Sequence, residues 1–454
     1  MEFNQRLKQV AVIGAAGKMG RGISAMIAHQ MALLKAQDAS KDIYRLYLID
    51  TMESGLDDLF DYIEQQARKQ AEQGIVELRR IYSSRKDLIE NLEIIEAHLN
   101  CVKKFIRPGV ELSAAANAKL VFEAIVEDLK VKQKVYESLA AQSGREAFFL
   151  TNTSSIPINA LEKSAGLEGR IIGYHFYNPP PVQKLVEVIT TARTSSELRE
   201  TAAELGKRLR KTLVPANDVA GFIGNGHFMR DGLHGINAAE MLAKEHGWPA
   251  AVYMVNRVSN DFLLRPMGIF QLIDYVGIDV FELILRVMNP HHPSDNLHSS
   301  VIDKMLSQGV KGGQAGDGSQ RDGFFQYQKG RPYAVWNIEE KKYELMEASS
   351  WRSSADNSLG ELPQGYKPWK ALLGSAKLEE ALKRHFEALW KMDTLGAKLA
   401  RAYIRRSKEI GDHLVKTGVA DSPKNVNDVL TLGFYHLYGP INEYIKIGDK
   451  AIRR

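Results

Sequence analysis

A histidine and a glutamate twelve residues apart, His175 in RIIGYHFYNP and Glu187 in KLVEVI, are the residues of this chain best fitted to move a proton. An acid set among Leu, Val and Ile is costly to bury alone, so Glu187 requires a partner, and His175 is the nearest candidate. An imidazole held by a carboxylate is a base at neutral pH. Other polar groups cluster where apolar runs stop: Glu123 and Glu127 in FEAIVEDLKVK, with Ala124 beside them at the expected cofactor site, Asn152 and Ser154 in TNTSS, and Asn178 just beyond His175. Ligands of open α/β sheets bind beyond the carboxyl ends of the strands, which is where such clusters fall.

A second kind of chemistry is written near the start. AVIGAAGKMGRGISAMI, residues 11–27, passes from a buried-strand pattern to a helical one across Gly14, Gly17 and Gly20. In a strand–turn–helix unit of this kind the first glycine permits the bend, the second admits a pyrophosphate, and the third lets helix pack on strand. Lys18 and Met19 then open the helix, whose N-terminus favours phosphate. The spacing is one residue wider than the usual dinucleotide fingerprint, and a glycine turn that only packs is the alternative. An acid ending the second strand decides for a nucleotide. Asp50 ends the run IYRLYLID, suits the hydroxyls of an adenosine ribose and repels a 2′-phosphate, so NAD is expected rather than NADP. The interval from Gly20 to Asp50 is about 30 residues rather than the usual ~20, lengthened by the polar KAQDASKD.

Around these residues stands a chain of 454 residues, 44% hydrophobic, enough for two or three domains. No run of 18 apolar residues occurs, and MEFNQRLKQV has neither a signal-peptide core nor transit-peptide character, so a cytoplasmic protein is expected. The single Cys101 excludes an intrachain disulfide and a cysteine-rich metal site. A net charge of +5, mixed in sign, does not indicate nucleic acid and suits an anionic ligand. KLVFEAI, AFFLTNTSS and RIIGYHFYNP alternate with helical patterns to about residue 213. From Val214 the pattern turns helical, with little that reads as strand. The expected architecture is therefore an α/β Rossmann-type doubly wound parallel sheet followed by all-α domains. The expected boundaries are 1–213 for the NAD-binding domain, 214–330 for a helical domain, 331–370 for a linker and 371–454 for a second helical domain. Within these, 309–323 reads as a Gly-rich loop and 347–365 as an exposed linker.

VIGAAGKMGRGI, VFEAIVEDLKVK, TNTSSIPI, GYHFYNPPPVQKLVEVI, GFIGN and RPMGIFQLIDYVGID follow the order and approximate spacing of the NAD-dependent L-3-hydroxyacyl-CoA dehydrogenases, which the chain resembles from residue 9 to about 330. The resemblance implies reversible oxidation of the 3-hydroxyl of an acyl-CoA. On it, His175 matches the base and Glu187 the carboxylate that orients it. Ser154 matches a side chain near the substrate oxygen and the nicotinamide, and Asn225 an asparagine of the helical domain. Glu127, Lys132 and Asn178 match positions lining the nicotinamide-ribose side of the cofactor site. The family's Pro-Gly-Phe and Asn-Arg pairs stand here as Ala220-Gly221-Phe222 and Asn225-Gly226. No hydratase-like segment precedes the glycine motif, so the multifunctional β-oxidation enzymes are matched in part. Two other readings are a dehydrogenase of another hydroxy acid, such as gulonate, and a non-catalytic structural relative.

The C-terminal segment carries an echo. RPMGIFQLIDYVGID, with Gly268 and Gly277, is repeated in outline by HLYGPINEYIKIGDK, with Gly439 and Gly448. The position answering to Asn225 falls near Gly396, so a second copy has no active site. Single-copy members of the family pair their helical domains across a two-fold axis. A degenerate second copy is therefore expected to pack on the first, making an internal pseudo-dimer in a monomer or a homodimer.

Overall fold

The computed structural model describes all residues except 145, 316–317, 348 and 446–454. The chain forms two compact units, Met1–Asp218 and Val219–Arg454.

The first unit is built on eight strands: β1 (Gln9–Ile13), β2 (Arg45–Ile49), β3 (Ile106–Gly109), β4 (Leu120–Glu123), β5 (Phe148–Thr151), β6 (Ile171–Phe176), β7 (Leu185–Thr190) and β8 (Thr212–Asn217). They lie in the order β3-β2-β1-β4-β5-β6-β7-β8. Neighbours are parallel except β6 and β7, which pair antiparallel. β4, β5 and β6 are buried at every position, as strands covered on both faces must be, so their sequences read as unbroken apolar runs. Helices α1 (Lys18–Gln37), α2 (Glu53–Gln73), α3 (Asn91–Phe105), α4 (Leu129–Gln142) and α5 (Ser196–Arg208) belong to the same unit. The order reverses between β1 and β4, the place where a doubly wound sheet opens a crevice for ligand.

The expected boundary at 213 falls short. Val214 to Asn217 complete β8, where Val214 and Ala216 face inward. A run of four residues with a proline in it hid a strand whose pairing with β7 is long-range.

The second unit centres on α6 (Gly224–His246), followed by α7 (Trp248–Arg257), α8 (Ile269–Val276), α9 (Ile278–Met288) and α10 (Ser300–Ser307). It is not all-α. Strands β9 (Phe325–Gln328), β10 (Arg331–Asn337) and β11 (Lys342–Leu345) make an antiparallel sheet. The sequence 331–370, expected as a linker, thus contains two strands, with Ala334 and Val335 fully buried. Its Ser-rich part forms α11 (Ser350–Leu359), in which Ala355 and Leu359 are buried and Asp356 accepts a hydrogen bond from Tyr253 Oη at 2.8 Å.

Residues beyond 371 form α12 (Leu378–Lys391), α13 (Leu395–Lys416) and α14 (Pro423–Gly433). α13 lies against α6 with the two chains running in opposite directions. Tyr403 Oη donates to the Asp231 carbonyl at 3.0 Å, and further along α13 Ser407 Oγ meets His227 Nε2 at 3.0 Å. Leu414 then reaches back to Gly226, where a Cβ would stand 3.0 Å from it. A side chain at residue 226 would crowd Leu414, so a glycine suits the contact with α13. Gly448, half of the expected repeat, lies outside the described residues.

Candidate active site

The glycine turn lies at the crevice between β1 and β4. Gly14 takes φ +78°, and a Cβ on it would stand 2.6 Å from the Ala124 carbonyl oxygen at the end of β4. A Cβ on Gly20 would stand 1.9 Å from the Gly14 carbonyl oxygen, so α1 can pack this close to the turn only without a side chain at position 20. Gly17 is the N-cap and offers no side chain, leaving the backbone of Lys18, Met19 and Gly20 as the first turn. Asp50 Oδ2 accepts from Ala16 N at 2.9 Å and Oδ1 from Met52 N at 3.3 Å. Its carboxylate is thereby fixed beside the turn, and a carboxylate has acceptor capacity beyond two bonds. Backbone N–H groups at a helix start with a carboxylate beside them fit the pyrophosphate and ribose of a dinucleotide.

Beyond β4 lies a buried ionic network. Asp128 caps α4 by accepting from Val131 N, which places Lys132 one turn in, over the end of β4. Lys132 Nζ bonds Glu123 Oε1 at 2.6 Å and lies 3.4 Å from Glu127 Oε2. Burial pulls this ammonium down, but the two carboxylates outweigh it and hold it above the ordinary lysine value. Glu123 is satisfied in full, since Tyr136 Oη and Thr151 Oγ1 donate to its other oxygen at 2.9 and 2.7 Å. Lys132, expected to line the cofactor, is 1% exposed. Its ammonium is held by Glu123 and in turn holds Glu127 at the edge of the loop beyond β4.

Glu127 in turn organises the loop after β5. Its Oε1 accepts from Thr153 Oγ1 at 2.7 Å and from Ser154 N, Ser155 N and Ser155 Oγ at 2.9 Å each. Burial raises this acid, yet Lys132 and the loop donors bring it below the usual glutamate range. Ser154 is therefore held by its backbone and by its hydroxyl, whose Oγ donates to the same oxygen at 3.3 Å. Asn152 Oδ1 accepts from Phe176 N at 2.8 Å and ties β5 to β6 next to His175.

The antiparallel register pairs His175 directly with Glu187. His175 Nδ1 lies 2.9 Å from Glu187 Oε2, and Glu187 is fully buried. The same oxygen accepts from Tyr177 Oη at 2.7 Å, and the Tyr177 and His175 rings lie 4.8 Å apart. Burial, reinforced by Glu187, keeps the Tyr177 phenol protonated far above its ordinary value. Tyr177 was not among the expected residues. Its signal was available, since residues two apart on an extended chain share a face. Asn178 follows it, half-buried, and Asn225 stands in the first turn of α6 in the second unit.

Sheet order, glycine turn and acid define a dinucleotide-dependent enzyme of the doubly wound class, with a buried imidazole–carboxylate pair in the same unit. Comparison with known proteins sharpens this. Residues 9–219 match the family described as 3-hydroxyacyl-CoA dehydrogenase, NAD binding domain, and residues 221–322 its C-terminal domain. The human mitochondrial hydroxyacyl-coenzyme A dehydrogenase is 29% identical over 315 residues, covering 69% of this chain and 90% of that one. A probable 3-hydroxybutyryl-CoA dehydrogenase of Bacillus subtilis is 30% identical over 334 residues, covering 71% and 98%. The crystal structure of 3-hydroxybutyryl-CoA dehydrogenase from Escherichia coli shares the fold at a TM-score of 0.60 and 20% identity, across 98% of this chain and 95% of that one. The chain belongs to the 3-hydroxyacyl-CoA dehydrogenase family, and NAD-dependent 3-hydroxyacyl-CoA dehydrogenase activity goes with that membership. Among the described residues no helix is long and apolar enough to cross a membrane.

Proposed function

We propose that His175 is the base of this dehydrogenase, and that Glu187 holds its imidazole and stabilises the charge it gains. The observation that carries the proposal is the direct His175–Glu187 pairing at 2.9 Å, with the carboxylate fully buried. Oxidation at C3 of a hydroxyacyl thioester requires the hydroxyl proton to leave as the carbon–hydrogen bond breaks. With Nδ1 turned to Glu187, the imidazole presents Nε2 to that hydroxyl, and the carboxylate fixes this tautomer. Ser154, whose backbone Glu127 fixes, and Asn225, by its place in the family motif, donate to the substrate oxygen as its charge changes. Gly14, Gly17, Lys18, Met19 and Gly20 would hold the dinucleotide pyrophosphate and Asp50 its ribose. Ala124, Glu127, Asn152, Ser154 and Asn178 would meet its nicotinamide end. NAD, when bound, supplies the acceptor for the two electrons leaving C3.

The physiological setting we assign is fatty-acid oxidation on an acyl-CoA substrate, in the cytoplasm. We also read residues 371–454 as a degenerate second helical copy, on the opposed contacts of α6 and α13. Reduction of acetoacetyl-CoA by NADH tests the central claim. His175→Gln is expected to lose turnover by about 10³-fold while keeping NADH affinity. Retention of wild-type turnover would remove His175 from the mechanism.

A further inference from the structure

At the end of the first unit's sheet where β2 begins, at the opposite end of α1 from the glycine turn, a cavity of about 580 Å³ opens between the last turns of α1 and α3. Its apolar wall includes Ile43, Ile81 and Phe105, and Ile43 is 58% exposed at the surface. Its charged lining consists of Lys35, Arg45, Arg85 and Lys104, with no carboxylate among the lining residues. Arg85 is paired with Asp87. Lys35, Arg45 and Lys104 make no ion pair with the described residues: Lys35 Nζ donates to the Ser40 carbonyl and Arg45 to the Tyr44 carbonyl. Lys35 and Lys104 also balance the negative ends of their helices, a role that Arg45 does not have.

We infer that this cavity is a binding site for an amphipathic anion, an acyl chain ending in a carboxylate or carried on an anionic thioester. The chain would lie on the Ile43, Ile81 and Phe105 wall and the head group between Arg45 and Lys104. Volume and composition agree with small-molecule sites, which are mostly apolar with a few placed polar groups. None of these residues belongs to the glycine turn, the Glu123–Lys132–Glu127 network or the His175 pair, so occupancy is a property separate from turnover.

The chain's one cysteine, Cys101, is half-buried in this same wall and reports on it. Burial raises its thiol, so alkylation is slow enough to time. The experiment is alkylation of the full chain by iodoacetamide, followed by mass spectrometry, with decanoate, decanoyl-CoA, coenzyme A alone or decyltrimethylammonium added below micelle formation. Decanoate is expected to slow alkylation saturably, by about fivefold or more, while coenzyme A alone and the cationic amphiphile leave it unchanged. Protection by decanoyl-CoA in place of decanoate supports the site and names the thioester as its source. Ile43→Asp, at an exposed position, should abolish protection, and Arg45→Ala should weaken it by about fivefold, with acetoacetyl-CoA reduction unchanged in both. The inference is overturned if neither acyl compound protects Cys101, or if protection persists in Ile43→Asp.

Discussion

Replacing Glu187 by Gln keeps the size of the side chain and one acceptor oxygen but removes its charge, and so isolates what the carboxylate does for His175. Glu187 is fully buried, and its Oε2 receives both His175 Nδ1 at 2.9 Å and the Tyr177 hydroxyl at 2.7 Å. Unit charges about 4 Å apart interact by about 4 kcal/mol at an effective dielectric constant of about 20. The imidazolium is only part-formed in the transition state and the amide dipole recovers some of the loss, which leaves about 2–4 kcal/mol. At tenfold per ~1.4 kcal/mol, turnover should fall by about 30- to 900-fold. The KM for NADH should stay within about twofold, because Glu187 is not among the residues that fit the dinucleotide, which lie in the glycine turn, at Asp50 and in the loops beyond β4, β5 and β6. Steady-state reduction of acetoacetyl-CoA, followed by NADH absorbance, measures both, with circular dichroism to establish that the variant is folded. A folded variant within about threefold of wild-type turnover would refute the argument, since no buried charge of that size could then be acting on the base.

Tyr177→Phe keeps the ring contact with His175 but leaves one lobe of Glu187 without its donor, so a thermal melt should show a loss of about 1–3 kcal/mol while turnover stays within about tenfold. Asp50→Ala should narrow the preference for NADH over NADPH through KM, and equal use of the two by the wild type would contradict the ribose assignment. Asp274 predicts a pH dependence of stability. Burial pushes it up to about 7 against three donors, Phe324 N, Phe325 N and Tyr327 Oη. The unfolded chain gives up this proton near pH 3.8 and the folded chain near 7, so stability is unaffected below that window, falls as pH rises through it, and levels off above. The loss is bounded by about 4 kcal/mol, and denaturant titrations of Asp274→Asn should lack that slope. A chain ended at Leu345 loses α13, uncovers the Asp231–Arg265 ion pair, and should self-associate in sedimentation; a fully active, well-behaved monomer would count against the second-copy reading.

The parts of this molecule legible in the sequence are those whose signal is local. β1, β4 and β6 are short apolar runs cut off by glycine or polar residues, and the His175–Glu187 pair is a hairpin register whose spacing is preserved in the chain. What escaped was decided by partners distant in sequence. Val214 and Ala216 are strand residues only because β7 lies beside them. The α11 helix reads as polar because its inward side chains, Ala355 and Leu359, are two among many serines. Lys132 reads as a surface lysine, and only the meeting of Glu123 and Glu127 explains its burial. Gly226 reads as a defect in a motif until Leu414 is seen to occupy the space.

That last contact has a consequence for behaviour on dilution. When a helix such as α6 must be covered by another molecule, coverage obeys mass action and weakens as the protein is diluted. Here the covering helix α13 is carried on the same polypeptide, so its local concentration is fixed by the tether, on the order of millimolar, whatever the concentration of the protein. The melting midpoint of the second unit should therefore be the same in dilute and concentrated solution, and its folding first-order. Arg265, Asp231 and Tyr403 then stay desolvated in a single diluted chain, as they would in a concentrated stock.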